Sequence, residues 1–347
     1  MQNSGEKLEI GKEYPAPDEA EAIANMTAII AAGLKTDREP VPRGQHAKHH
    51  GCVRAEFIVE ENLPENLKFG VFKEAKTFLA WIRFSNASGD ASQPDTKADG
   101  RGMTIKLMGV EGEKLLDDEK YTQDFLAINY PLFFIRDIPE YMDLFNAVKE
   151  AKGGPPLKFF FPSLNPFKWR FSAFRIMRAI QNGKINNPLF TQYWSTTPYR
   201  LGDGAMKYSA KPTALPPETK NPSESENYLK EAMVDYLKTN EAYFDFLVQL
   251  QTDPVGMPIE DPTIEWRSPF IKVATIKIPS QTFDSDEQME FCEHLSYNPW
   301  HSLEAHRPLG GVNRARKLVY KTISERRHQL NDVSPPEPNG QETFSNH

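Results

Sequence analysis

The residues most able to do chemistry lie at the two ends of the sequence. In NRARKLVYKTISERRHQL, Arg316 and Tyr320 are four residues apart, and Tyr320 and Arg327 are seven apart. Those spacings put all three on one face of a helix. A guanidinium one turn away favours ionisation of a phenol. A phenolate is a hard anion suited to ferric iron, and tyrosine is one of the axial ligands by which proteins hold haem iron. A basic helix with one packed tyrosine would show the same spacing. Near the other end, Arg43-Gly44-Gln45-His46-Ala47-Lys48-His49-His50 carries three histidines within five residues. Pro42 and Gly44 disfavour a regular helix there. An extended segment would send His46 and His50 to one side and His49 to the other. The window is open to three readings: a polar loop, an acid/base histidine, or a zinc site.

Two further windows contain strand ends and turns. One runs from Arg83-Phe84-Ser85 to Asp95-Thr-Lys-Ala-Asp99-Gly-Arg101-Gly102. The other is Ala127-Ile128-Asn129-Tyr-Pro131-Leu-Phe133-Phe134-Ile-Arg136-Asp137. Taken singly, each is unremarkable.

Taken in order, the windows resemble the catalase superfamily. Arg43…His46-Ala-Lys is similar to the distal-histidine motif of catalases, and Arg83-Phe-Ser85 to the motif that follows it. DTKADGRGMTIKL and NYPLFFIRD resemble the next two stretches. RKLVYKTISERR resembles the proximal helix of pattern arginine-x-x-x-tyrosine. The resemblance implies an α+β fold, an antiparallel eight-stranded β-barrel with flanking helices, and haem b as the cofactor. Tyr320 would ligate the iron, with Arg316 beside it. Arg43, Arg83 and Arg327 would bind the haem carboxylates, and Tyr141 would stand where a haem-stacking phenylalanine is usual. His46 would be the distal acid/base, with Ser85 fixing its ring. A gapless reading puts Ile128 in the slot of the distal asparagine; the expectation here is that Asn129 fills it through a local shift. Gln45 replaces a usual apolar residue. The implied activity is haem-dependent catalase or peroxidase decomposition of hydrogen peroxide or organic hydroperoxides through a ferryl intermediate, in response to oxidative stress. Transformation of fatty-acid hydroperoxides, as in allene oxide synthases, is the alternative. A non-catalytic haem carrier or a zinc-binding module stands behind both.

The rest of the sequence must build a frame for these residues. Its 347 residues are 39% hydrophobic and 26% charged, an ordinary globular composition that can bury a large core. The net charge of -7 gives no electrostatic case for nucleic acid or an anionic membrane. No segment is long and apolar enough for a membrane span. Cys52 and Cys292 alone make no disulfide framework, which fits a cytoplasmic protein. Val53, Ala55, Phe57 and Val59 alternate with polar neighbours as in a half-buried strand. TFLAWIRFS, GMTIKLMGV, DFLAINYPLFF, AMKYSAKPT, YFDFLVQLQ and FIKVATIKI read as further strands. Helices are expected over residues 18–34, 139–151, 169–182 and 224–239, in DEQMEFCEHL and in the C-terminal basic segment. The expected organisation is a helical segment over 1–36, a haem domain over 37–331 and a disordered tail over 332–347. Only 27 residues follow Tyr320, so the C-terminal domain of larger catalases is expected to be missing. A small peroxide is the expected partner, and a homo-oligomer is compatible with the resemblance.

Overall fold

The computed structural model describes residues 7–34, 36, 39–152, 154–215 and 224–345. Among these residues, nine strands follow in order: β1 His49–Val59, β2 Thr77–Asn86, β3 Arg101–Met108, β4 Thr122–Ile128, β5 Tyr193–Trp194, β6 Tyr199–Leu201, β7 Gly204–Pro212, β8 Ala242–Leu250 and β9 Phe270–Ile278. Seven helices accompany them: α1 Glu19–Ala32, α2 Ile138–Ala151, α3 Leu157–Phe160, α4 Phe171–Asn182, α5 Tyr228–Leu237, α6 Asp286–His294 and α7 Gly311–Leu330. All strand pairs are antiparallel. The two-residue β5 bridges β4 and β7, so β1-β2-β3-β4-β5-β7-β8-β9 closes into an eight-stranded barrel with β6 hanging on β7. Closure removes the open sheet edges that would otherwise invite aggregation.

Period-two alternation decides which side chains enter the barrel. Val53, Ala55, Phe57 and Val59 point inward from β1, as expected, and Met103, Ile105 and Leu107 do so from β3. Phe57, Phe125 and Phe246 meet Phe72 at the centre, with ring centroids 5.0–6.5 Å apart. The interior is therefore filled by side chains.

Several elements differ from the sequence reading. DFLAINYPLFF is a strand only to Ile128, where Pro131 cannot supply a ladder donor. The tail read as disordered has no helix or strand, but it packs on the barrel. Trp81 Nε1 donates to Glu342 Oε2 at 3.0 Å, and Phe344 lies against Trp81 and Phe291. The N-terminal segment is also built into the body, because Arg314 binds Glu13, Glu19 and Glu260. Cys52 and Cys292 form a buried disulfide, with Cα atoms 5.5 Å apart. The cysteines therefore lend no support to a reducing compartment. No helix among the described residues is long and apolar enough to cross a membrane.

One buried charge cluster carries the outer face of β3. The fully buried Lys106 ammonium pairs with Glu119 and, at 2.8 Å, with Asp124. His301 bonds Asp124 through Nδ1 at 2.8 Å and Asp118 through Nε2 at 3.1 Å. Glu119, Asp124 and His301 have the spacing of a cation site, but Lys106 already supplies the positive charge among them. Burial and Lys106 both disfavour a charged His301, yet the bonds to Asp118 and Asp124 raise it to about 9. Its folded pKa thus lies above the unfolded value. Its stabilisation is complete below about pH 6.5 and is lost as pH rises through about 9. The predicted loss is roughly 3 kcal/mol, read as a fall in the urea midpoint that His301→Gln should flatten. A parallel fall in both proteins would show that another group governs this range.

Candidate functional site

The antiparallel register gathers five strand ends at one rim. His49 faces Ser85, Ser85 faces Gly102, Gly102 faces Ile128 and Ile128 faces Trp194. Residues paired across strands share a face of the sheet. Because Phe84, Met103 and Ala127 point inward, this row lies on the outside of the barrel.

His46 sits over that row. Its φ of 54° is left-handed rather than extended, so the expected alternation of the three histidines begins only at His49. The bonds from His46 N to Ala87 O at 3.1 Å and from Ala47 N to Ser88 O at 3.0 Å fasten the turn. Ser85 Oγ lies 3.0 Å from His46 Nδ1. A Cβ on Gly102 would lie 2.7 Å from the same nitrogen, so only glycine leaves room for the ring. Burial, and then the positive charges of Arg83, Arg316 and Arg43, lower the His46 pKa to about 4. The imidazole is therefore neutral near pH 7. His50 is a buried structural residue bonded to Asn86 Oδ1 at 3.0 Å.

Three arginines form a second wall. Arg43 donates to Glu293 O at 2.8 Å and Leu295 O at 2.5 Å, and Arg83 donates to His46 O at 2.8 Å. Arg327 donates to Glu293 Oε1 at 3.1 Å. The Glu293 carboxylate is also 3.7 Å from Arg43 Nε, 3.9 Å from Arg83 Nη2 and 3.7 Å from His49 Nε2. Glu293 is the principal site residue that the sequence reading missed. It lies in no motif, and only the fold brings α6 to the arginines. Burial and mutual repulsion pull Arg83 and Arg327 below their usual values, and both remain cations at neutral pH.

The α7 face supplies the third wall. Arg316 donates to Thr197 Oγ1 and Asn313 Oδ1, each at 3.1 Å, and its guanidinium lies 5.5 Å from the Phe133 ring centroid. Against the desolvation of burial, the phenols of Tyr320, Tyr199 and Tyr141 raise the Arg316 pKa. Tyr141 stacks on Phe145 at 5.3 Å and packs in the cluster that holds Ala315 and Val319. Burial pushes its phenol up to about 12. It belongs to the α2–α7 contact, beside Tyr320.

Asn129 does not share the His46 row. Its Oδ1 accepts from Arg101 N at 2.7 Å and its Nδ2 donates to Ile180 O at 3.2 Å. The register puts Ile128 beside Gly102 instead, so the expected local shift does not occur. Gln45 is exposed.

These residues fit haem b. A hard phenol donor stands on α7, and the space over Gly102 holds an imidazole. The Nε atoms of Arg43 and Arg83 are buried without a hydrogen-bond partner. Arginine recognises carboxylates such as the two propionates through charge and paired N–H donors.

Comparison with known proteins finds catalases among the similar chains. A family model described as Catalase matches residues 14–156. A catalase of Pseudomonas syringae pv. syringae is 31% identical over 114 residues, which cover 33% of this chain and 20% of that protein. Catalase-2 of Caenorhabditis elegans is 29% identical over 170 residues, covering 42% of this chain and 32% of that one. The matched segments thus span less than two thirds of those relatives. In solved structures, a bacterial catalase superposes with a TM-score of 0.66 at 16% identity, covering 99% of this chain and 70% of its own. Catalase A of Saccharomyces cerevisiae gives 0.65 at 16% identity, covering 99% and 72%.

Glu293→Gln keeps the side-chain shape and removes the common anion of the arginine wall. The predicted cost to the haem-free chain is roughly 2 kcal/mol, below the value for a fully buried pair because Glu293 keeps some exposure. A urea titration at low salt measures it. An unchanged midpoint would show that backbone carbonyls alone hold the arginines.

Proposed function

We propose that this chain, which is similar to catalases in sequence and fold, is a haem-dependent oxidoreductase that decomposes hydrogen peroxide or organic hydroperoxides and so serves the response to oxidative stress. The observation that carries this reading is the neutral His46, held by Ser85 above Gly102 and within electrostatic reach of Arg316 on α7. Tyr320 is the proposed iron ligand. Arg43, Arg83 and Arg327 are the proposed partners of the haem carboxylates. When bound, the haem supplies the redox chemistry.

The chain's own task is proton transfer. Ser85 engages Nδ1, which leaves Nε2 for the substrate. A neutral imidazole accepts the proton of one peroxide oxygen and returns it to the departing oxygen. Arg316, one helical turn away, holds a positive charge beside the proposed ligand Tyr320.

A second reading, rearrangement of fatty-acid hydroperoxides as in allene oxide synthases, draws support from Ile128. An apolar side chain in the row beside His46 offers a peroxide no hydrogen bond, and it favours an apolar substrate over a small polar one.

Two predictions test these assignments. Tyr320→Phe is expected to abolish or sharply weaken binding of high-spin ferric haem, whereas His46→Ala keeps haem and reacts with peroxide roughly 10²–10⁴-fold more slowly. Absorption spectra and stopped-flow kinetics measure both. A Tyr320→Phe protein with the parent spectrum would refute the ligand. For substrate, modest oxygen evolution from hydrogen peroxide is expected alongside turnover of cumene or linoleate hydroperoxide, compared at equal haem content. Fast oxygen evolution without organic turnover would leave a plain small catalase. Rapid rearrangement without an electron donor would favour the second reading.

A further inference from the structure

The two most exposed large apolar side chains among the described residues lie three positions apart on one segment. Leu164 is 99% and Phe167 is 96% exposed, and Leu157 and Phe171 are about half exposed. All four lie on the segment from α3 to the start of α4, which projects from the barrel on the side of α2. Such side chains at a tip gain nothing from folding, and grouped apolar exposure marks an interaction surface.

The tip segment itself contributes no carboxylate side chain. Between Glu150 and Asp203 the sequence holds eight lysines and arginines and no aspartate or glutamate, in a chain whose net charge is -7. Lys158 pairs with Glu150, and Arg170 pairs with Asp143 and Glu140. Lys168, Arg175 and Arg178 are exposed. Aromatic and aliphatic tips ringed by lysine and arginine suit the boundary between acyl chains and anionic headgroups.

The tip is joined to the site by rings. Trp169 and Phe171 lie 5.2 and 6.2 Å from Phe161, which meets Phe160 at 6.4 Å. Phe160 meets Phe134 at 6.5 Å, and Phe134 meets Phe133 at 5.3 Å. Phe133 lies under Arg316. This continuous apolar path favours a lipid surface over a protein partner, because a protein contact would need no such link inward.

We propose that residues 157–178 dock the chain on an anionic membrane surface, with Leu164 and Phe167 entering the acyl boundary and Lys168, Arg175 and Arg178 contacting headgroups. Docking places the aromatic path against the bilayer. Supply of a membrane-borne hydroperoxide to the site beside it rests on the proposed peroxide activity; docking itself does not.

The test is co-sedimentation of the full chain with phosphatidylcholine vesicles, with and without about a third phosphatidylserine. Binding is expected to the anionic vesicles, to fall with added salt, and to drop tenfold or more in Leu164→Ser/Phe167→Ser. That variant should keep the parent melting temperature, since both residues are exposed. Lys168→Gln/Arg175→Gln should weaken binding and its salt dependence. Absence of parent binding to anionic vesicles, or equal binding by the Leu164/Phe167 variant, would overturn the proposal. So would self-association of the parent that the same variant abolishes, which would assign the tip to a second copy. These outcomes are read without haem, so loss of peroxide activity leaves the docking result standing and the reverse also holds.

Discussion

A full barrel has no room for a ligand. Phe57, Phe72, Phe125 and Phe246 close the interior of this one, and every functional feature follows from that exclusion. Chemistry must take place outside, where strand ends and helices meet. The antiparallel register turns the start of β1, the end of β2, the start of β3 and the end of β4 into one row. A rigid sheet sets the spacing of that row, which loops alone would hold less well. The helix α7 then needs only to lie near it to bring Arg316 within electrostatic reach of His46.

Two clusters of buried charge solve the same problem differently. Around Lys106, the two carboxylates of Glu119 and Asp124 balance one ammonium and the protonated His301. Around Glu293, one carboxylate meets three guanidinium groups, and positive charge is left over. The first arrangement has no capacity for another ion. The second leaves cations whose Nε atoms lack a hydrogen bond and is suited to an incoming dianion. Charge balance, more than residue type, separates a structural cluster from a binding one.

Much of the frame was legible in the residues themselves. Period-two runs gave β1, β2, β3, β7, β8 and β9, and the helical face gave Arg316 with Tyr320. Local patterns failed where geometry is set from a distance. Asn129 and Ile128 differ by one position, and a one-residue step reverses the face of a strand; only the pairing of Gly102 with Ile128 decides between them. Glu293 stands 250 residues from Arg43 and 210 from Arg83, so no spacing announces it. The tail is polar and proline-rich, yet Trp81 and Arg54 supply partners that composition does not reveal. Net charge likewise averages away the acid-free segment that carries the exposed tip.

The Cys52–Cys292 bond joins residues 240 apart in sequence. In the chain-entropy account, closing so long a loop removes about 5 kcal/mol of freedom from the unfolded ensemble. Cys52 lies three residues beyond His49, and Cys292 immediately precedes Glu293. The covalent knot therefore ties the histidine edge of the site to its anionic centre even when the chain between them has come apart. Refolding begins with the start of β1 and the end of α6 already neighbours. For this fold, the long search that would bring α6 back to β1 is replaced by a short one.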